Sequence, residues 1–119
     1  MLLKVKHIWL AAVLALIACG PDTIFLRQGL DTPAHHVSNG HLLLDKKKFV
    51  DACREFERAK ELDPRYTEAY VGLGIAHARN GDLEKGLEMM RMADAMAGSD
   101  EERASVEKGF EQLYRMKQK

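Results

Sequence analysis

The chain repeats itself once, at an offset of 34 residues, and this constrains its fold more than any other feature. Gly40 aligns with Gly74, Phe49 with Leu83, Phe56 with Met90, Ala59 with Ala93 and Leu62 with Met96. A period of that length is one helix–turn–helix unit of a helical repeat, which buries its apolar face only by stacking on a neighbour. Stacked units build an extended surface rather than a reaction chamber. The pattern therefore points to protein binding.

Local signals agree with paired helices. Phe49, Ala52, Cys53, Phe56, Ala59 and Leu62 recur at spacings of three and four, one face of a helix, and Leu83, Leu87, Met90 and Met96 repeat the pattern. Small residues (Gly40, Ala52, Ala59, Gly74, Ala93) let backbones approach while Phe56 and Met90 fill the space between. Asp63-Pro64 stops one helix, because the residue before proline is pushed out of helical geometry. Asn80-Gly81 stops another at a residue that tolerates positive φ. Thr32 before Pro33 reads as an N-cap, and Ser99 with Glu102 as a capping box. These signals predict helices at about 33–45, 48–61, 67–79, 83–97 and 100–117. The last carries a narrow apolar stripe (Val106, Phe110, Leu113) among charged residues, as a helix closing the end of a stack should.

Residues 33–98 resemble two tetratricopeptide repeats (TPR). In the first unit Gly40, Leu43, Ala52, Phe56, Ala59 and Pro64 fall on the positions of that family. In the second, Tyr70, Leu73, Gly74, Gly81, Leu83, Met90 and Ala93 do so. His36 and Asn39 stand where large apolar residues are usual, Gly86 where Ala is usual and Gly98 in place of Pro. The resemblance implies an all-α fold of two TPR helix hairpins, followed at 99–119 by a capping helix. It also implies a concave groove lined by the first helix of each unit. Its contact positions correspond to Ala34, Val37, His41 and Leu44, then Glu68, Val71, Ile75 and Ala78. The Lys and Asn residues that clamp a terminal carboxylate in some relatives are absent, which leaves a mostly apolar face suited to a hydrophobic helix or extended segment. Two occupants are open: a protein partner, or the chain's own terminal helix or tether.

Residues 1–18 read as a signal peptide preceding the fold. Lys4 and Lys6 form a positive start, and Ile8–Ala18 is an uncharged apolar run, shorter than the ~20 residues that a spanning helix needs. The run ends in Leu16-Ile17-Ala18-Cys19, which resembles the lipobox of bacterial lipoproteins. The resemblance implies cleavage before Cys19, diacylglycerol on its thiol and an acyl chain such as palmitate on its amine, so that the protein is anchored without spanning. Gly20 differs from the Asp that resembles an inner-membrane retention signal, so the outer membrane, facing the periplasm, is the expected address in a diderm source. Residues 19–32 are then lipidated Cys and tether. The apolar patch Ile24-Phe25-Leu26 in it either packs on the first helix pair, the favoured reading, or dips toward lipid.

Loss of residues 1–18 removes Lys4 and Lys6, leaving 16 basic residues against 18 acidic ones. A net charge of about −2 disfavours nucleic acid, which needs a concentrated basic face. The basic run Lys46-Lys47-Lys48 falls at a predicted turn and reads as a solvated loop, with an anionic lipid contact as the alternative. Cys53 holds the place of Leu87 and reads as a core residue. His36 and His41, five apart, do not converge on a helix as an i, i+4 pair would, so no metal is expected; His77 sits at a helix-packing position. No nucleophile motif, phosphate loop or zinc-protease motif appears, and no enzyme or cofactor is expected. The expected function is a membrane-anchored adaptor or assembly factor of the bacterial cell envelope that binds a protein partner. The alternative is a structural subunit that associates with copies of itself.

Overall fold

Thr32 starts the helical array: its hydroxyl accepts from the His35 N–H at 3.2 Å, with Pro33 at the first helical position. The computed structural model describes residues 29–119. The signal peptide, Cys19 and the Ile24-Phe25-Leu26 patch lie outside the described residues. Thr32–Lys119 forms one packed unit, and of the preceding one, Met1–Asp31, only the exposed turn near Gly29 and Leu30 is described.

Five helices follow in order and the described residues contain no strand: α1 Pro33–Asp45, α2 Phe49–Leu62, α3 Thr67–Arg79, α4 Leu83–Met96 and α5 Asp100–Lys117. The bounds lie within one residue of those predicted. Helices α1 and α2 pack as one hairpin, α3 and α4 as the next. Helix α3 lies against both α1 and α2, and α5 against both α3 and α4. Each first helix thus rests on the hairpin before it, and α5 takes the place that a third unit would fill. Among the described residues, no helix is long and apolar enough to cross a membrane.

The interior is centred on Phe56, Leu73, Met90, Val106 and Leu113, all fully buried. Helix α3 is the middle of the stack, buried along nearly its whole length. Phe56 lies over the backbones of α1 and α3. A Cβ added at Gly40 would stand 2.6 Å from its ring, and one at Gly72 would overlap the ring outright. The Tyr70 hydroxyl donates to the Pro64 carbonyl at 2.7 Å, which ties the α2–α3 turn to the core.

The departures from the repeat pattern have a local explanation. Residues offset by 34 from Tyr70 and Leu73, which are buried in α3, are His36 and Asn39 on α1. His36 Nδ1 pairs with the Glu55 carboxylate at 2.8 Å, and Asn39 Nδ2 donates to the same carboxylate at 3.4 Å and contacts His35 Nε2 at 3.2 Å. The outer ridge of α1 is therefore a polar network where the ridge of α3 is apolar and packed, which suits the terminal unit of a stack.

The two hairpin turns are the same motif with different residues. After α1, the Lys47 N–H donates to the Leu44 carbonyl at 3.0 Å and the Lys48 N–H to that of Leu43 at 2.9 Å. After α3, Gly81 and Asp82 bond to Ala78 and His77 at 3.1 and 2.9 Å. Both are Schellman caps, which place one residue in the left-handed region. In the second unit that residue is Gly81, with φ of 96°; in the first it is Lys47, with φ of 59°. A side chain there costs about 1 kcal/mol relative to glycine. The next residue differs too: Asp82 caps α4 by accepting from the Lys85 N–H at 3.1 Å, whereas Lys48 gives α2 no side-chain cap. A lost cap is worth about 1 kcal/mol more.

Candidate partner-binding face

The groove positions implied by the repeat pattern lie on α1 and α3. Val37, Leu44, Val71 and Ile75 retain only 9, 4, 4 and 7% of their exposure and belong to the core. The expectation of an apolar groove thus meets a face whose apolar members present little surface. For Val71 the physical reason is the terminal helix. A Cβ at Gly109 of α5 would sit 3.5 Å from Val71 Cγ1, so the backbone of α5 lies close against it.

Of the eight positions, Ala34, His41 and Glu68 offer surface. His41 is exposed, with its ring edge-on to Phe56 at 5.3 Å between centroids. Glu68 is half-buried and lines a cleft of about 520 Å³ with Asp63, Arg65, Tyr66, Thr67, Ser99, Glu101 and Glu102. This cleft lies where the starts of α3 and α5 come together, so repeat-equivalent segments form its two walls. Glu102 is committed to the cap: its carboxylate accepts from the Gly98 and Ser99 N–H groups at 2.7 and 3.1 Å, and Ser99 Oγ accepts from the Glu102 N–H at 3.1 Å. Those backbone donors hold its pKa below the usual carboxylate range. The Thr67 hydroxyl in the same cleft is buried without a hydrogen-bond partner.

The histidines and the cysteine go to separate places. Among the described residues, no three His, Cys, Asp or Glu side chains converge as metal ligands. Cys53 is half-buried against the core rather than enclosed in it, with Sγ 3.9 Å from His77 Nδ1 across α2 and α3. Burial, then the Glu57 carboxylate, push the thiol pKa up, so Cys53 stays protonated. The sequence did not pair these two residues, because the contact joins helices of different units.

His77 Nε2 is buried without a hydrogen-bond partner. Burial, then the Lys85 charge, lower the ring's pKa from its ordinary 6.5. The folded state therefore resists a proton that the unfolded chain accepts. Stability is complete above pH 6.5 and falls as the pH drops below that value. His77→Leu, which installs the residue found at the equivalent position 43, should raise stability by about 1 kcal/mol at neutral pH by removing the orphaned nitrogen. It should also flatten the decline below pH 6.5. Thermal melts from neutral pH down through that range check both.

No protein-family model matches the chain. A 66-residue stretch is 36% identical to part of Superkiller protein 3 of Schizosaccharomyces pombe, covering 56% of this chain and 5% of that protein. The stacked hairpins and this similarity both fit a TPR-like repeat. Such a repeat suggests protein–protein interaction.

Proposed function

We propose that this chain is a lipid-anchored, non-enzymatic adaptor or assembly factor of a bacterial envelope, whose TPR-like stack holds a protein partner. The observation that carries the reading is the stack itself: two equivalent hairpins and a closing helix that share one interior and present the edges of α1 and α3 side by side. On this reading the partner meets that face at His41 and Glu68, where surface is open. The anchor is Cys19, supported by the Leu16-Ile17-Ala18-Cys19 box behind Lys4, Lys6 and the apolar run. The address is the outer membrane, facing the periplasm, in a diderm source.

Each half has its own test in the source organism. Labelled palmitate should enter the full chain and be lost in Cys19→Ser; retained label rejects the anchor. A photoreactive residue at His41 should give a discrete adduct that Glu68→Lys weakens, whereas the same probe at exposed Glu84 on α4 should not. Equal adducts from both positions reject the face. Val71 and Ile75 are unsuitable for surface probes, since a charge at either would enter the core.

A further inference from the structure

The turn between α1 and α2 gives up local stability twice where its twin between α3 and α4 does not. Position 47 holds lysine in the left-handed conformation that position 81 gives to glycine, and position 48 holds lysine where Asp82 caps the following helix. Nothing in the turn's own geometry favours these residues. What the exchange adds is charge: Lys46, Lys47 and Lys48, all exposed, replace Asn80, Gly81 and Asp82.

The shoulders of the turn differ from their counterparts as well. Leu42, 56% exposed, stands where the second unit has the buried Ala76, and Val50, 55% exposed, stands where it has Glu84. Three ammonium groups are thus flanked by two aliphatic side chains at one end of the hairpin. The acidic neighbours are Asp45, Asp51 and Glu55: Asp51 pairs with Arg54 at 3.3 Å, and Glu55, which lines one small cleft with Leu42 and Lys46, pairs with His36 at 2.8 Å. The three lysines and Arg54 against these three carboxylates leave a local surplus of about one positive charge, concentrated at the tip, on a chain that is otherwise balanced or slightly acidic.

We infer that this turn, Lys46-Lys47-Lys48 between Leu42 and Val50, is a docking tip for an anionic membrane surface. Lysines near such a surface are drawn to its headgroups, and aliphatic side chains beside them enter the boundary between headgroup and acyl chain. A nucleic acid fits less well, since the two rings beside the turn are engaged with the core, Phe49 packing against it and His41 lying edge-on to Phe56. An acidic protein would satisfy the lysines but not the exposed leucine and valine. The inference is independent of lipidation at Cys19: it concerns how the repeat sits on a membrane.

The test is partition of the full chain onto phosphatidylcholine vesicles with and without phosphatidylglycerol, the neutral vesicles giving the apolar contribution of all segments. Each lysine near an anionic surface is worth about fivefold in partition, so the three together should raise the anionic-to-neutral ratio on the order of a hundredfold. Lys46→Gln/Lys47→Gln/Lys48→Gln should lower the ratio by about that factor, to what the other charges of the chain, Lys4 and Lys6 among them, supply. Leu42→Gln/Val50→Gln should lower partition on both vesicles and leave the ratio alone. Lys47→Gly should lower the ratio about fivefold and at the same time raise the melting temperature. A ratio that survives the triple change overturns the inference, as does binding to polyglutamate with no preference between vesicles. So does a Lys47→Gly protein that melts no higher, because the lysine would then be held there at no cost.

Discussion

Phe56→Ala should remove about 3–5 kcal/mol of folding stability, the range for emptying a fully buried aromatic site. Domains of this size hold only about 5–15 kcal/mol in total, so the variant stands near the edge of folding. The cost is high because the ring's neighbours have no atoms to spare. Gly40 and Gly72 present bare backbone to it from two different helices, and the His41 ring touches it edge-on. Backbone cannot swing into the cavity as a side chain would, so relaxation is poor. The arrangement also makes a signed prediction. Gly72→Ala alone should destabilise by about 1–3 kcal/mol, since its methyl would overlap the ring. In the Phe56→Ala protein the same methyl enters the vacated space. The double variant should then be more stable than the sum of the singles implies, by about 1–3 kcal/mol. Urea unfolding of the four proteins measures this coupling, and additivity within about 0.5 kcal/mol would mean that the ring does not rest on Gly72.

Helix positions were legible in the sequence because each end carries its own chemistry. Thr32-Pro33, Asp63-Pro64, Asn80-Gly81 and the Ser99/Glu102 box all act within a few residues, and the structure shows each cap or stop in place. The 34-residue offset conveyed the stacking, because equivalent positions must meet equivalent surroundings. What periodicity could not supply was the meaning of departures from it. His36 and Asn39 stand where the repeat has large apolar residues, and what they do instead is bond to Glu55, a residue of another helix. Gly72 passed as one more residue of α3 because nothing nearby in sequence shows that Phe56 crosses it. The groove positions are a related case. The pattern marks Val37, Leu44, Val71 and Ile75 as facing one way, but exposure depends on what the rest of the chain lays over them. The Lys46-Lys47-Lys48 turn was noticed as charge, whereas its strain became visible only once φ at Lys47 could be set beside φ at Gly81.

Gly86→Ala separates propensity from packing by sign. Helix propensity alone favours alanine over glycine inside a helix by about 1 kcal/mol, and the TPR pattern ordinarily has alanine there. The structure requires the opposite result. A Cβ at Gly86 would lie 2.6 Å from the Gly74 carbonyl oxygen, 3.0 Å from Ala78 Cβ and 3.2 Å from the Ala78 nitrogen. Two of those three atoms are backbone, and the third is a methyl fixed to it, so no rotamer change clears the space. Helices α3 and α4 would have to separate, and α3 is also the helix on which α1, α2 and α5 rest. The expected loss is about 1–3 kcal/mol net of the propensity gain. Gly98→Ala is the internal comparison: its Cβ would meet only Glu102 Oε2, at 3.7 Å, and stability should stay within about 0.5 kcal/mol. A Gly86→Ala protein that unfolds at higher denaturant than the parent would show that the two helices do not approach backbone to backbone. The burial of α3 between its neighbours, on which the shape of the proposed partner face depends, would then have to be redrawn.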